Sequence, residues 1–323
     1  MPKIVAIGAS QGGVGALRKV ASGLPADFPC AVLVVLHTGA EPSSLPSLLT
    51  AAGPLPASHA ENNERIAPGR IYVAPHDRHL LLVDGRMELS HGPRENYARP
   101  AIDPLFRAVA EAYGPDAIGV VLTGRLNDGT AGLFEIKRRG GRAIVQDPTS
   151  AEAPGMPRSA LENVAVDFCL PLSEIARQII LFCRDSAATK PRARGVVALP
   201  QQQPFEPPVA QTCPECGGAM REEVLGTLTR FQCHIGHAMT AEVLAAGQLD
   251  VLENGNASVL RTLNERSDLC RRIAERHHIN GNAAAADLWR AASHEASRRE
   301  AAVRALTESD WLHPEEPAPR EPA

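Results

Sequence analysis

The chain has 323 residues, with Lys+Arg 33 against Asp+Glu 37, a formal net charge of −4. That length suggests two domains, and an apolar fraction of 44% beside 22% charged describes a globular chain that buries its core without disulfide staples. The slightly acidic balance argues against broad binding to nucleic acid or anionic membrane, and no apolar run approaches the ~20 residues of a membrane span.

Met1-Pro2-Lys3 runs directly into the strand-like Ile4-Val5-Ala6-Ile7, which is not the form of a signal peptide, so the expected location is cytoplasmic. Residues 1–185 alternate β-branched runs with amphipathic, Gly-bounded segments. Strands are expected over 3–8, 31–37, 70–74, 80–83, 117–123 and 142–146, and helices over 14–23, 44–52, 101–113, 131–139 and 173–183. This alternation predicts an α/β fold with a mainly parallel, doubly wound sheet. Tyr72/Val73 and 80–83, joined by a polar turn over 75–79, read as a hairpin inserted into that pattern. Residues 186–212 are Pro- and Gln-rich and read as a linker. A small Cys/His unit follows over 213–239. Helical apolar spacing at Leu249, Leu252, Val259, Leu263, Cys270 and Ile273, broken by Asn280-Gly281-Asn282, predicts an antiparallel helical hairpin over 240–306. The Pro/Glu-rich stretch 307–323 reads as a disordered tail.

In a parallel α/β sheet, ligands bind outside the carboxyl ends of the strands. The first strand runs into Gly8-Ala9-Ser10-Gln11-Gly12-Gly13, the second ends at His37, and a later one runs into Gly124-Arg125-Leu126-Asn127-Asp128-Gly129. A Ser, a His and an Asp thus fall on three strand ends, the set that acyl transfer needs as nucleophile, base and orienting acid. Gly8-x-Ser10-x-Gly12 matches a nucleophile elbow, and the helix that follows offers free N–H groups to an oxyanion. The order Ser–His–Asp is not that of the α/β-hydrolases. A dinucleotide site is disfavoured, because Gly13-Val14-Gly15 is followed by Arg18 where a glycine is needed. No P-loop Gly-Lys-Ser/Thr is present either. On spacing alone, Asp147 rivals Asp128 as the acid, and His76, His79 and His91 rival His37 as the base.

Six segments fall in the order and spacing of one family: IVAIGASQGG (4–13), VVLH (34–37), GRIYVAP (69–75), RPAIDPLF (99–106), GVVLTGRLNDGTAG (119–132) and GMPRSA (155–160). Over 3–183 the chain resembles the catalytic domain of chemotaxis protein-glutamate methylesterases of the CheB type. The resemblance implies a serine hydrolase that removes γ-methyl esters from glutamates of methylated chemoreceptor helices, some members also deamidating glutamine. It implies Ser10 as nucleophile, His37 as base, Asp128 as acid, and the backbone N–H of Arg125, with that of Gln11, in the oxyanion hole. Gln11 stands where the family commonly has Thr, Arg125-Leu126 where it has Met-Gly, and Ala98 where a His is often found. The family's receiver domain is not expected in cis, because the chain opens on the first catalytic strand. Two other functions fit less closely: a signalling adapter that keeps the fold, and a small-ester hydrolase outside chemotaxis.

The remaining motif is C-x2-C-x16-C-x3-H, formed by Cys213, Cys216, Cys233 and His237. Four soft or borderline ligands suit tetrahedral zinc, and a closed four-ligand set suits a structural role. His234 is the alternative fourth ligand. His277-His278 reads as a solvated pair.

Overall fold

The structure is a computed structural model, and it describes residues 3–37, 43–184 and 210–308. Most of the linker and nearly all of the C-terminal tail expected from composition lie outside the described residues. The chain divides into two compact units, Met1–Leu244 and Ala245–Ala323.

In the first unit, β1 (Ile4–Ala9), α1 (Gly13–Ser22), β2 (Ala31–Leu36), α2 (Leu45–Ala52), β3 (Ala57–His59) and β4 (Ile71–Val73) come first. The hairpin β5 (His79–Val83) and β6 (Arg86–Ser90) follows, then α3 (Ile102–Tyr113), β7 (Ala117–Val121), α4 (Thr130–Arg138) and β8 (Arg142–Gln146). α5 (Gly155–Asn163), β9 (Phe168–Leu170) and α6 (Leu172–Arg184) complete the α/β body. Seven strands form one sheet in the order β3-β4-β2-β1-β7-β8-β9, and every pairing is parallel.

Both β1 and β2 are buried along their whole length. Each therefore reads as a continuous apolar run, as strands covered on both faces do. Alternate residues serve two cores. Val5, Ile7 and Ala9 pack with Leu17, Val20, Leu49 and Ile179 on the face covered by α1, α2 and α6. Ile4 and Ala6 pack with Phe106, Leu133 and Met156 on the face covered by α3, α4 and α5. The chain leaves β1 toward β2 on one side and later returns to β7 on the other. The crevice at this reversal lies at the carboxyl end of β1.

The inserted hairpin is real, but its strands are not those expected. Ile71–Val73 pairs parallel to β2 within the main sheet. The hairpin instead joins β5 to β6 through Asp84-Gly85. Both turn residues have positive φ, 50° and 74°, as a two-residue Asp-Gly hairpin turn requires. The Asp-Gly pair is the stronger local signal, and the Pro75–His79 segment only links the sheet to the insertion. Strands β3 and β9 and helix α5 were not expected. Three-residue strands are too short to show a period, and α5 opens with Gly155 and has Pro157 in its first turn.

A three-stranded antiparallel sheet, β10 (Met220–Leu225), β11 (Leu228–Cys233) and β12 (Ala238–Thr240), carries the Cys/His segment and belongs to the first unit. Its small core comprises Met220, Phe231, Met239, Val243 and Leu244 with Cys213 and Cys233.

The helical pair consists of α7 (Ala241–Ile279), which begins in the first unit, and α8 (Ala283–Thr307). Gly281, at φ 76°, makes the turn between them, and the Asn282 side chain caps α8 by accepting from the Ala285 N–H. The two helices meet through small residues. Cys270, Ala274, Ala286 and Ala296 are buried, and Ser267 hydrogen-bonds Ser293 and Ser297. Of the apolar positions whose spacing marks these helices, Leu252 and Val259 are exposed.

Candidate active site and metal centre

The register of the central strands sets the site. Ala9 pairs with Leu36, so the next residues along, Ser10 and His37, leave neighbouring strand ends side by side. The His37 N–H donates to the Ala9 carbonyl at 3.2 Å. On the other flank the Ser10 N–H donates to the Thr123 carbonyl at 2.9 Å. Gly12, at φ 75°, lets the chain turn from strand into α1, a conformation that a side chain would strain. Gly124 allows a close approach: a Cβ there would lie 2.0 Å from Met156 Sδ and 2.9 Å from Ser10 Cβ.

His37 Nε2 lies 2.7 Å from Asp128 Oδ2. Asp128 is 2% exposed and saturated with donors. Its Oδ2 also accepts from the Ile102 N–H at 2.7 Å. Its Oδ1 accepts from Asn96 Nδ2 at 2.9 Å, the Gly129 N–H at 3.0 Å and the Asp103 N–H at 3.2 Å. Burial opposes ionisation of Asp128, but the hydrogen bond and charge of His37, with the Ile102 and Asn96 donors, outweigh it. The carboxyl is held below the usual carboxylate range. Asp103 behaves oppositely. Burial first, then the charge of Asp128, push it up to about 7, although Gly132 N–H and Asn96 Nδ2 both donate to it. Two buried acids share one amide and are driven apart in acidity.

Among the described residues, neither the Gln11 nor the Arg125 backbone N–H has an acceptor. Both flank Ser10, one directly after it in the chain and the other directly after Gly124. The rival residues are engaged elsewhere. Asp147 accepts from Thr149 N–H and Oγ1, capping a short 3-10 turn. His79 is buried against the Pro93 carbonyl and the Ala101 N–H, and burial lowers its pKa. His91 pairs with Asp77, and His76 follows β4, with its buried Nδ1 unpartnered among the described residues. Sequence alone does not mark Asn96 and Asp103 as members of this network. Asp103 carried a usable signal, an acid in the otherwise apolar first turn of α3.

The Cys/His segment brings Cys213, Cys216, Cys233 and His237 together, with all four donor atoms within 4.8 Å of one another. Cys216 Sγ lies 3.7 Å from Cys233 Sγ, and His237 Nδ1 lies 3.7 Å from Cys213 Sγ and 3.6 Å from Cys233 Sγ. Tetrahedral zinc with bonds of about 2.3 Å to sulfur separates its ligands by about 3.8 Å, so this donor set could hold a metal ion. Two knuckle turns make the cluster, with Gly217 N–H donating to Cys213 O and Gly236 N–H to Cys233 O. The alternative ligand His234 instead packs its ring against Gly218 and stands outside the cluster.

A doubly wound parallel sheet with Ser, His and a buried Asp at its central carboxyl edge defines an α/β protein whose candidate site lies at the strand-order reversal. Residues 5–179 match the CheB methylesterase family model, and the chain belongs to that family. A putative protein-glutamate methylesterase/protein-glutamine glutaminase of Leptospira interrogans is 41% identical over 178 residues, covering 54% of this chain and 92% of that protein. A protein-glutamate methylesterase/protein-glutamine glutaminase of Myxococcus xanthus is 45% identical over 158 residues, 48% of this chain and 45% of the relative, so the match spans about half of that longer protein. The crystal structure of the Thermotoga maritima CheB methylesterase catalytic domain superposes with a TM-score of 0.54 at 36% identity, covering 56% of this chain and 98% of that one. The Cys/His sheet and the helical pair lie outside the matched span.

Proposed function

We propose that the protein is a protein-glutamate methylesterase that hydrolyses γ-methyl esters on a signalling protein, with methylated chemoreceptor helices as the expected substrate and glutamine deamidation as a second reaction of the same site. The observation that carries this reading is the neighbouring register of Ser10 and His37, with His37 2.7 Å from the buried, ionised Asp128.

Asp128 takes Nε2–H, which leaves Nδ1 of His37 as the nitrogen for the nucleophile. Ser10 Oγ attacks the ester carbonyl carbon as its proton passes to that nitrogen. The carbonyl oxygen, now an anion, is met by the N–H groups of Arg125 and Gln11. The tetrahedral intermediate collapses, the imidazolium protonates the departing methoxide, and methanol leaves an acyl-serine. Water then gives a proton to His37 and attacks the acyl carbon; the imidazolium returns that proton to the departing Ser10 Oγ, and the product acid loses its own proton to solvent as the glutamate carboxylate. With a glutamine side chain, ammonia takes the place of methanol. The orienting acid keeps the correct tautomer and stabilises the imidazolium without taking the proton.

In this reading the Cys213–Cys216–Cys233–His237 set holds zinc. Four protein ligands close the tetrahedron, so the ion supplies folding energy to the small sheet and stays outside the reaction. The deciding experiment compares methanol release from methylated receptor membranes by wild type and Ser10→Ala. Release that disappears in the variant, by several orders of magnitude in turnover, supports the assignment. A Ser10→Ala protein that retains turnover sinks it.

A further inference from the structure

The Cys/His sheet ends on the loop that carries Asp128. Thr240, the last residue of β12, donates from Oγ1 to Asn127 Oδ1 at 2.8 Å and from its N–H to Asn96 Oδ1 at 3.3 Å. Asn96 in turn donates to Asp128 Oδ1 at 2.9 Å, while its own N–H donates to the Ala238 carbonyl at 2.8 Å. Asn127 Nδ2 donates to Glu242 Oε2 at 2.8 Å. Asn96, Asn127 and Thr240 are all buried. Leu126 and Tyr97 pack into the apolar core of the small sheet, and Arg230 of β11 pairs with Glu95.

Backbone conformation marks the same seam. Asn96, Tyr97 and Leu126 have φ of 49°, 59° and 59°. Non-glycine residues persist in this region only when their surroundings hold them there, and such residues gather at functional sites. Here the surroundings on one side are β12 and the small core. All five donors to Asp128 belong to the α/β body, and four of them are held within it. The fifth, Asn96, is aimed by bonds that come from the appended sheet.

We propose that the Cys/His sheet braces the triad, with Thr240 and Asn96 as positioning residues that hold Asp128 in line with His37. Loss of the brace lets the loop 124–129 relax, so Asp128 offers Oδ2 to His37 less of the time. The same loop carries the Arg125 N–H, so the expected loss falls on turnover, with KM left as it was.

The kinetic arm of the test rests on the methylesterase reading, so a second arm reads structure directly. Thr240→Val keeps the shape of the side chain and deletes the hydroxyl donor, whereas Thr240→Ser keeps the donor. In the full chain, Thr240→Val lowers kcat roughly ten- to a hundredfold with KM unchanged, and Thr240→Ser restores it. Hydrogen exchange at the Ile102, Asp103 and Gly129 amides, all of which donate to Asp128, accelerates in the Val variant and returns to normal in the Ser variant. Glu242→Ala, at an exposed position, gives a smaller change of the same kind if Thr240→Val fails to fold. Wild-type exchange at those three amides in the variants overturns the proposal, as does a loss confined to KM or a Ser variant that fails to rescue. If wild type releases no methanol, the methylesterase reading fails, and the exchange arm still decides the brace.

Discussion

Replacing Asp128 with asparagine tests the site most directly, because the consequences can be worked atom by atom. The carboxylate has two donors at Oδ2 and three at Oδ1. The amide nitrogen of the introduced side chain meets the fewest donors at the Oδ2 position, where it faces Ile102 N–H and His37 Nε2. It can then donate to His37 only if Nε2 is unprotonated, which places the ring proton on Nδ1, the nitrogen assigned to accept the serine proton. The base is locked in the wrong tautomer and its imidazolium loses its counter-charge. Turnover is expected to fall about 10⁴-fold, about 5.5 kcal/mol of transition-state stabilisation. The orphaned Ile102 N–H costs a further ~1–3 kcal/mol of stability. Methanol release at saturating substrate, with labelling of Ser10 by a fluorophosphonate probe, measures the first effect, and denaturant unfolding the second. A folded Asp128→Asn protein within tenfold of wild-type kcat would refute both the tautomer argument and the role given to Asp128.

Gly124→Ala should drive its new methyl group into Met156 and Ser10, costing about 1–3 kcal/mol and lowering kcat more than tenfold; near-normal turnover would show that the Ser10 elbow tolerates displacement. Asp103 gives a pH signature. Its folded pKa is raised to about 7, so the stability it contributes is fully present below about pH 4 and is lost as pH rises through about 7. The excursion is on the order of 4 kcal/mol, and Asp103→Asn should remove it; parallel stability–pH curves for the two proteins would contradict the assignment. Chelation should release about one zinc ion per chain, read by elemental analysis, with loss of amide protection in β10–β12, since structural zinc contributes on the order of 10 kcal/mol to such units. Cys216→Ser should bind no ion, and fully reduced wild-type protein that takes up none would remove the metal reading.

The local sequence determined much of the α/β body. Continuous apolar runs at 4–9 and 31–36 mark strands buried on both faces, and Gly-bounded amphipathic segments mark the helices between them. Ser10, His37 and Asp128 stand out as candidates because a parallel sheet sends its strand ends to one edge, and the structure brings His37 to 2.7 Å from Asp128; the Cys/His cluster was legible because knuckle turns are local. The pairing of β5 with β6 is not legible in β5 alone, since strand pairing depends on which edge is free and not on the strand's own composition. The seam residues were hidden for a related reason. Asn96, Asp103 and Thr240 are single polar residues with no motif around them, separated by up to 144 positions in the chain. Their meaning comes from burial: once packing excludes water, each polar group must find a partner, and only the tertiary structure decides which. Local sequence therefore points to candidate groups at the sheet edge, while burial and packing alone join the appended Cys/His sheet to Asp128.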